Sequence, residues 1–221
     1  MKVSLSLEKS NSNDLSIMVD VLRASTTITM ALNHFKQVIP VVNHEEAVKI
    51  ASEKEAVIAG ERRGATLEGF DAGNSPIEIQ KFTGETLVLT TSNGTRIMER
   101  MNSQVLVGCF TNAEAVAVAA KKLATNEIEV VMAGVEGHFA IEDFLGAGEI
   151  ISNLQNENLD EYARAAVMAV QDKDLVEHNI LRSRSARRLS EIGFKKDVEF
   201  CLQRNISNNV PIFQEHVLKK Y

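Results

Sequence analysis

Four stretches of this chain set acids, arginines, hydroxyls and glycines at points where a strand would hand over to a helix. In the first, Asp20-Val21-Leu22-Arg23-Ala24-Ser25-Thr26-Thr27, an acid and a base end an apolar run and hydroxyls open a helix, whose unpaired N–H groups suit an anion. A plain Ser25 cap with an Asp20–Arg23 ion pair explains the same residues, and the two accounts stand level. The second runs from Gly60-Glu61-Arg62-Arg63-Gly64 into Glu68-Gly69-Phe70-Asp71-Ala72-Gly73-Asn74-Ser75-Pro76. Ser75 there is placed to cap a helix begun by Pro76, and Glu61 is a candidate metal ligand or base. A surface turn accounts for the glycines equally well, but less readily for Glu61 and Arg62 at a strand end.

The third stretch, Thr90-Thr91-Ser92-Asn93-Gly94-Thr95-Arg96, joins a glycine turn to a helix start. Backbone N–H groups at such a turn converge on oxyanions and Arg96 could fork onto them, which makes Asn93, Gly94, Thr95 and Arg96 the strongest anion-binding candidates. The fourth leads from Ala133-Gly134-Val135-Glu136-Gly137-His138 to the adjacent acids Glu142 and Asp143. Magnesium takes oxygen ligands and retains waters, so Asp20, Glu61, Glu142 and Asp143 form a candidate ligand set. Acids in a first helical turn are also favoured by the helix dipole alone, and for Glu142 by itself that is the stronger account.

The elements that must position these stretches follow from hydrophobic periodicity. Strands are expected over residues 2–7, 16–22, 37–42, 56–60, 86–91, 104–108 and 127–133, several of them continuously apolar as strands buried on both faces are. Helical spacing covers 25–35, 44–53, 93–101, 112–124 and 142–154 between them. This alternation predicts an α/β fold of three layers, α/β/α, with a mostly parallel, mixed central sheet. From residue 160 onward the pattern is helical (160–171, 173–184, 186–192 and 195–204) before a short apolar run at 210–213. A single domain over 1–221 is expected, with 160–221 a mainly helical appended layer. In open sheets of this kind ligands gather beyond the carboxyl ends of the strands, where all four stretches fall.

Composition narrows the functions. The chain of 221 residues is 44% hydrophobic, enough for a sizeable core, and carries 30 acids against 24 bases for a net charge of −6. That charge argues against a nucleic-acid partner. The acid excess lies in the first 160 residues, whereas 161–221 has more bases than acids. The basic run Arg182–Arg188 has no interleaved aromatics, so a solvated helix face is a better account of it than an RNA contact; closure over an anionic substrate also fits its sign. No apolar run reaches membrane-spanning length and residues 1–13 lack a signal-peptide core, so a cytoplasmic protein with no membrane partner is expected. Cys109 and Cys201 have neither disulfide nor zinc spacing, neither begins a Cys-x5-Arg loop, and Asp20 is not in an Asp-x-Asp pair, so no covalent phosphoenzyme is indicated.

Taken in order, residues 19–27, 60–78, 89–96, 109–116 and 133–148 resemble the 2-phosphosulfolactate phosphatase family. The likeness is closest in Asp20-Val21-Leu22-Arg23-Ala24, Glu68-Gly69-Phe70-Asp71, Gly73-Asn74-Ser75-Pro76, Asn93-Gly94-Thr95-Arg96 and Glu142-Asp143, and continues through Ile192-Gly193-Phe194, Asp197-Val198 and Val210-Pro211. The resemblance implies a Mg²⁺-dependent hydrolase that converts 2-phospho-3-sulfolactate into sulfolactate and phosphate, a step towards coenzyme M. On that reading water attacks in line; Asp20, Glu61 and Asp143 are the expected catalytic residues, and they and Glu142 the expected metal ligands. Arg23, Ser25, Thr26, Arg62, Asn93, Gly94, Thr95 and Arg96 are the expected contacts to a small anionic phosphate ester. Arg63 departs from the pattern, which has a small residue there. A phosphatase for another small phosphorylated acid and a non-catalytic anion-binding module are the alternatives, and a homodimer is left open.

Overall fold

A computed structural model describes residues 1–91 and 93–221; Ser92, one hydroxyl of the third stretch, lies outside the described residues. The first strands are β1 (Lys2–Leu7), β2 (Leu15–Val19), β3 (Phe35–Val41), β4 (Val57–Arg62), β5 (Ala65–Thr66) and β6 (Gly84–Thr90). They are followed by β7 (Gln104–Gly108), β8 (Glu127–Met132), β9 (Asn158–Leu159), β10 (Pro211–Gln214) and β11 (Val217–Lys220). Their order across the sheet is β5-β4-β6-β3-β11-β10-β7-β2-β8-β1-β9. Two parallel blocks, β4-β6-β3 and β7-β2-β8-β1-β9, are thus joined by one antiparallel hairpin. The mixed, mostly parallel three-layer fold expected from the sequence is what the chain forms.

The helices are α1 (Ala24–Ala31), α2 (His44–Lys54), α3 (Gly94–Met98), α4 (Ala113–Leu123), α5 (Ile141–Ser152), α6 (Glu161–Ala169), α7 (Lys173–Leu181), α8 (Arg184–Glu191) and α9 (Lys195–Cys201). Alternate side chains of one strand enter different cores: Ile17 and Val19 of β2 pack with residues of α4 to α7, whereas Met18 packs with residues of α1 and α3. A strand buried on both faces does not alternate apolar with exposed polar residues, which is why β2 reads Leu-Ser-Ile-Met-Val with every residue buried and its one polar side chain, Ser16, paired with the Ser10 and Ser103 hydroxyls. Among the described residues no helix is long and apolar enough to cross a membrane.

One expectation needs correction. Residues 160–221 do not end as a helical layer: β10 pairs with β7 and β11 with β3, so the last residues form the seam between the two parallel blocks. Four-residue strands, one beginning at Pro211, are too short to show a period, and Pro211 sits at a strand start where its missing N–H is tolerated.

The polar stretch before β2 has a clear task. Because β1 and β2 flank β8 and both run parallel to it, residues 8–14 must cross back over β8 without a helix. Glu129 of β8 anchors that crossing by accepting hydrogen bonds from the Ser6 and Ser10 hydroxyls and from the N–H groups of Asn11 (2.7 Å) and Ser12 (2.9 Å). Its side chain is buried, which alone would raise its pKa, yet these donors prevail and hold it below the usual value.

Candidate active site

The carboxyl ends of β2, β4, β6 and β8 open into one cleft of about 120 Å³, lined by Asp20, Leu22, Arg23, Glu61, Arg63, Gly64, Asn74, Thr91, Asn93, Val135 and Glu136, with Ser185, Arg188 and Leu189 from α8. All four stretches singled out in the sequence therefore reach the same place. They do so through fewer residues than expected, and α8 adds a wall that local sequence signals do not show.

Asp20 follows the last residue of β2. Its backbone N–H donates to the Ser25 hydroxyl at 2.8 Å and its carboxylate accepts from the Ala24 N–H at 3.3 Å, which fixes the strand-to-helix turn. The Gly94 N–H also donates to this carboxylate. A Cβ at Gly94 would lie 3.3 Å from Asp20 Oδ2 and 3.3 Å from the Ala24 Cβ, tight contacts that explain the glycine. Burial pushes the Asp20 carboxyl up to about 7, against the pull of the Ala24 N–H bond, and the negative charges of Glu61 and Glu142 push it the same way. Glu61, also buried, is the last residue but one of β4 and accepts the Gly64 N–H at 2.7 Å.

Asp143, in the first turn of α5, is buried and accepts the N–H groups of Val21 (2.8 Å) and Gly134 (2.9 Å). Burial raises its pKa well above the usual carboxylate range, and the charges of Asp20 and Glu142 add to the rise. It ties two cleft turns together and does not itself line the cleft. Among the described residues no three His, Cys, Asp or Glu side chains converge as a ready-made metal site. Asp20 and Glu61 are the pair that lines the cleft.

The arginines are rearranged relative to expectation. Arg23 lines the cleft but is buried and engaged: its Nη1 lies 2.6 Å from Asp197 of α9, its Nη2 donates to the Gly64 carbonyl at 2.8 Å, and its guanidinium stacks 4.4 Å above Phe194. Asp197 also accepts the Ser75 hydroxyl at 2.8 Å, so one buried acid holds both Arg23 and the Asn74–Ser75 turn. Arg96 turns away to Glu8 at 3.4 Å, and Arg62 donates to the Val42 carbonyl at 3.1 Å.

Ser25 and Thr26 are buried and serve the backbone, Thr26 by donating to the Val21 carbonyl at 3.2 Å, while Thr95 pairs with Thr91 at 3.1 Å. Of the expected substrate contacts, Arg23 and Asn93 line the cleft, whereas Ser25, Thr26, Arg62, Gly94, Thr95 and Arg96 do not. Gly94 acts through Asp20 instead. Ser75 does cap the turn after it, accepting the Glu78 N–H at 3.0 Å.

Three further contributors lie outside the expected contact set. Asn74 lines the cleft, is 3% exposed, and its Oδ1 has no hydrogen-bond partner among the described residues. Arg188 belongs to the basic run for which a solvated face is the better account from sequence and closure over an anionic substrate the alternative; it lines the cleft, and its Nε donates to the Arg63 carbonyl at 2.9 Å. Arg63 occupies the two-residue turn between β4 and β5, with φ 54° followed by Gly64 at 87°, a turn that normally takes Asn, Asp or Gly.

A family model described as 2-phosphosulpholactate phosphatase matches residues 2–216 of the chain. A 2-phosphosulfolactate phosphatase of Methanothermobacter thermautotrophicus is 56% identical over 97% of this chain and 93% of its own length. One from Methanocaldococcus jannaschii is 36% identical over 91% of this chain and 90% of its own. With the match running from β1 into the closing hairpin, the chain belongs to the 2-phosphosulfolactate phosphatase family.

Proposed function

We propose that the protein is a Mg²⁺-dependent phosphatase of the cytoplasm that hydrolyses 2-phospho-3-sulfolactate to sulfolactate and phosphate, in the direction of coenzyme M. The observation that carries this reading is the buried Asp20–Glu61 wall, where like charges crowd and burial lifts Asp20 to about 7. Crowded buried carboxylates call for a cation, and the unpartnered Oδ1 of Asn74 in the same cleft is an oxygen donor without a partner among the described residues. Asp20, Glu61 and Asn74 fit Mg²⁺, which needs only one or two protein carboxylates beside waters and substrate. The bound ion would lower the pKa of a water and offset charge on the phosphoryl oxygens.

The chain's own residues do the rest. Asp20 and Glu61 are held by N–H donors from Ala24, Gly94 and Gly64, so they are oriented before substrate arrives. Arg23, fixed by Asp197, lines the cleft without being a loose counter-charge. Neither cysteine lines the cleft, in keeping with direct attack by water and no cysteinyl phosphoenzyme. The test is phosphate release from 2-phospho-3-sulfolactate after EDTA treatment and again after Mg²⁺ is restored. Loss followed by recovery supports the reading, and full turnover in EDTA refutes the metal requirement.

A further inference from the structure

The substrate class proposed above carries a phosphate and, at the other end, a sulfonate. Counter-charge for the second end has to come from a group not already paired within the protein. Arg23 is bound to Asp197, Arg96 to Glu8, and Arg62 to backbone carbonyls off the cleft. Arg63 and Arg188 both line the cleft, both are exposed, and neither takes part in an ion pair among the described residues.

The two are fixed to each other through the backbone. Arg188 donates its Nε to the Arg63 carbonyl at 2.9 Å, which leaves both of its Nη groups for a ligand. Arg63 adopts φ 54°, a conformation that costs a branched or long side chain more than Gly or Asn, so the turn itself gives no reason for an arginine there. Gly64 seats the turn on α8: a Cβ there would lie 3.1 Å from Ile192 and 3.2 Å from Leu189. The cleft lining also includes Leu22, Val135 and Leu189, apolar side chains suited to the carbon atoms linking two anionic ends.

We propose that Arg63 and Arg188 form a second anion subsite that takes the sulfonate of the substrate, with the phosphate at the Asp20–Glu61 wall. The inference rests on the phosphatase reading and deepens it. Two guanidinium groups from different elements suit a tetrahedral group with three oxygens, whereas a carboxylate with two oxygens is satisfied by one bidentate arginine. Arg63 then becomes a specificity-determining residue of this chain.

The test uses the two products as separate probes of the two ends. Sulfolactate and inorganic phosphate are each measured as inhibitors of 2-phospho-3-sulfolactate hydrolysis by the wild type and by Arg63→Gly. Glycine suits the φ of this turn, so the backbone is retained. The expected result is that Ki for sulfolactate rises about tenfold while Ki for phosphate stays within about twofold. Arg188→Lys, which keeps the charge but loses the planar fork, is expected to weaken sulfolactate less than Arg63→Gly does.

An unchanged sulfolactate Ki, or a joint rise in both constants, overturns the subsite. If the wild type releases no phosphate with Mg²⁺ present, the phosphatase reading fails by itself. Calorimetric binding of sulfolactate to wild type and Arg63→Gly then judges the subsite, and equal affinities overturn it.

Discussion

The two walls of the cleft are built by opposite means. The acid wall lies at the ends of buried parallel strands, and each of its carboxylates is tied to a backbone N–H a few residues away, with Asp20 also accepting the distant Gly94 N–H. The arginine wall comes from a hairpin turn and α8, 125 residues apart in the chain, with exposed guanidinium groups and one side-chain-to-backbone bond between them. Rigid, dehydrated charge suits a step that must be the same in every turnover, because preorganised dipoles need no rearrangement as charge develops. Exposed charge on long side chains suits recognition, where a change of one residue alters which anion is held. On the proposed reading, the difference teaches that chemistry and substrate choice have separate structural owners in this molecule.

The sharpest way to break that separation is to cut the tie between the walls. Asp197 of α9 binds Arg23 beside the acid wall and Ser75 beside Asn74, so it fastens the helical tail to the strand ends. Asp197→Asn keeps the Ser75 contact but leaves the buried guanidinium without its counter-charge, and is expected to destabilise the fold by about 3–5 kcal/mol in urea unfolding. Turnover measured well below the unfolding transition is expected to fall as well, with Asp197→Glu restoring part of it. A variant as stable and active as the wild type would mean that the tail merely rests on the sheet.

How much of this was legible beforehand divides along the same line. The acid wall announces itself locally: an all-apolar run to Val19 followed by Asp20, or Val57 to Gly60 followed by Glu61, marks a strand end whatever the rest of the chain does. The arginine wall could not be read that way. Nothing within ten residues of Arg188 shows that it meets Arg63, and the amphipathic spacing of α8 is also that of an ordinary solvated helix. Arg96 misled for a related reason: its place after a glycine turn is correct for an anion site, but Gly94 donates its N–H to Asp20 and the side chain swings to Glu8. The β10–β11 hairpin was hidden because its strands are short and paired at long range.

A second comparison sharpens what is special about the acid wall. Glu129 is also a buried strand acid, but hydroxyl and amide donors surround it and hold its pKa down, whereas burial and crowding lift Asp20. The sign follows: a carboxylate lowered in the folded state contributes stability above its unfolded pKa, about 4.3, and that contribution fades as pH falls through the lower folded value. Glu129→Gln is expected to lose about 1–3 kcal/mol near neutrality in urea unfolding, with the gap to wild type closing below about pH 4. Activity below the unfolding transition is expected to change little. A gap that persists at acid pH would show that the crossing loop is held by shape alone.

The smallest expected effect tests which arginines belong to the recognition wall. Arg96 reaches Glu8 at 3.4 Å with both side chains partly exposed, a pair worth about 0–1 kcal/mol after solvent screening. Glu8 retains the Gly137 N–H at 2.9 Å without it, so the turn after β8 keeps an anchor. Arg96→Ala is therefore expected to leave kcat/KM for 2-phospho-3-sulfolactate within about twofold and to lower stability only slightly, whereas its position in sequence alone predicts a loss of binding and turnover together. The measurement is steady-state kinetics of Arg96→Ala beside Arg63→Gly. If Arg96→Ala raised KM as much as Arg63→Gly, the substrate would reach α3 and the recognition wall would have to be redrawn around the β6–α3 turn.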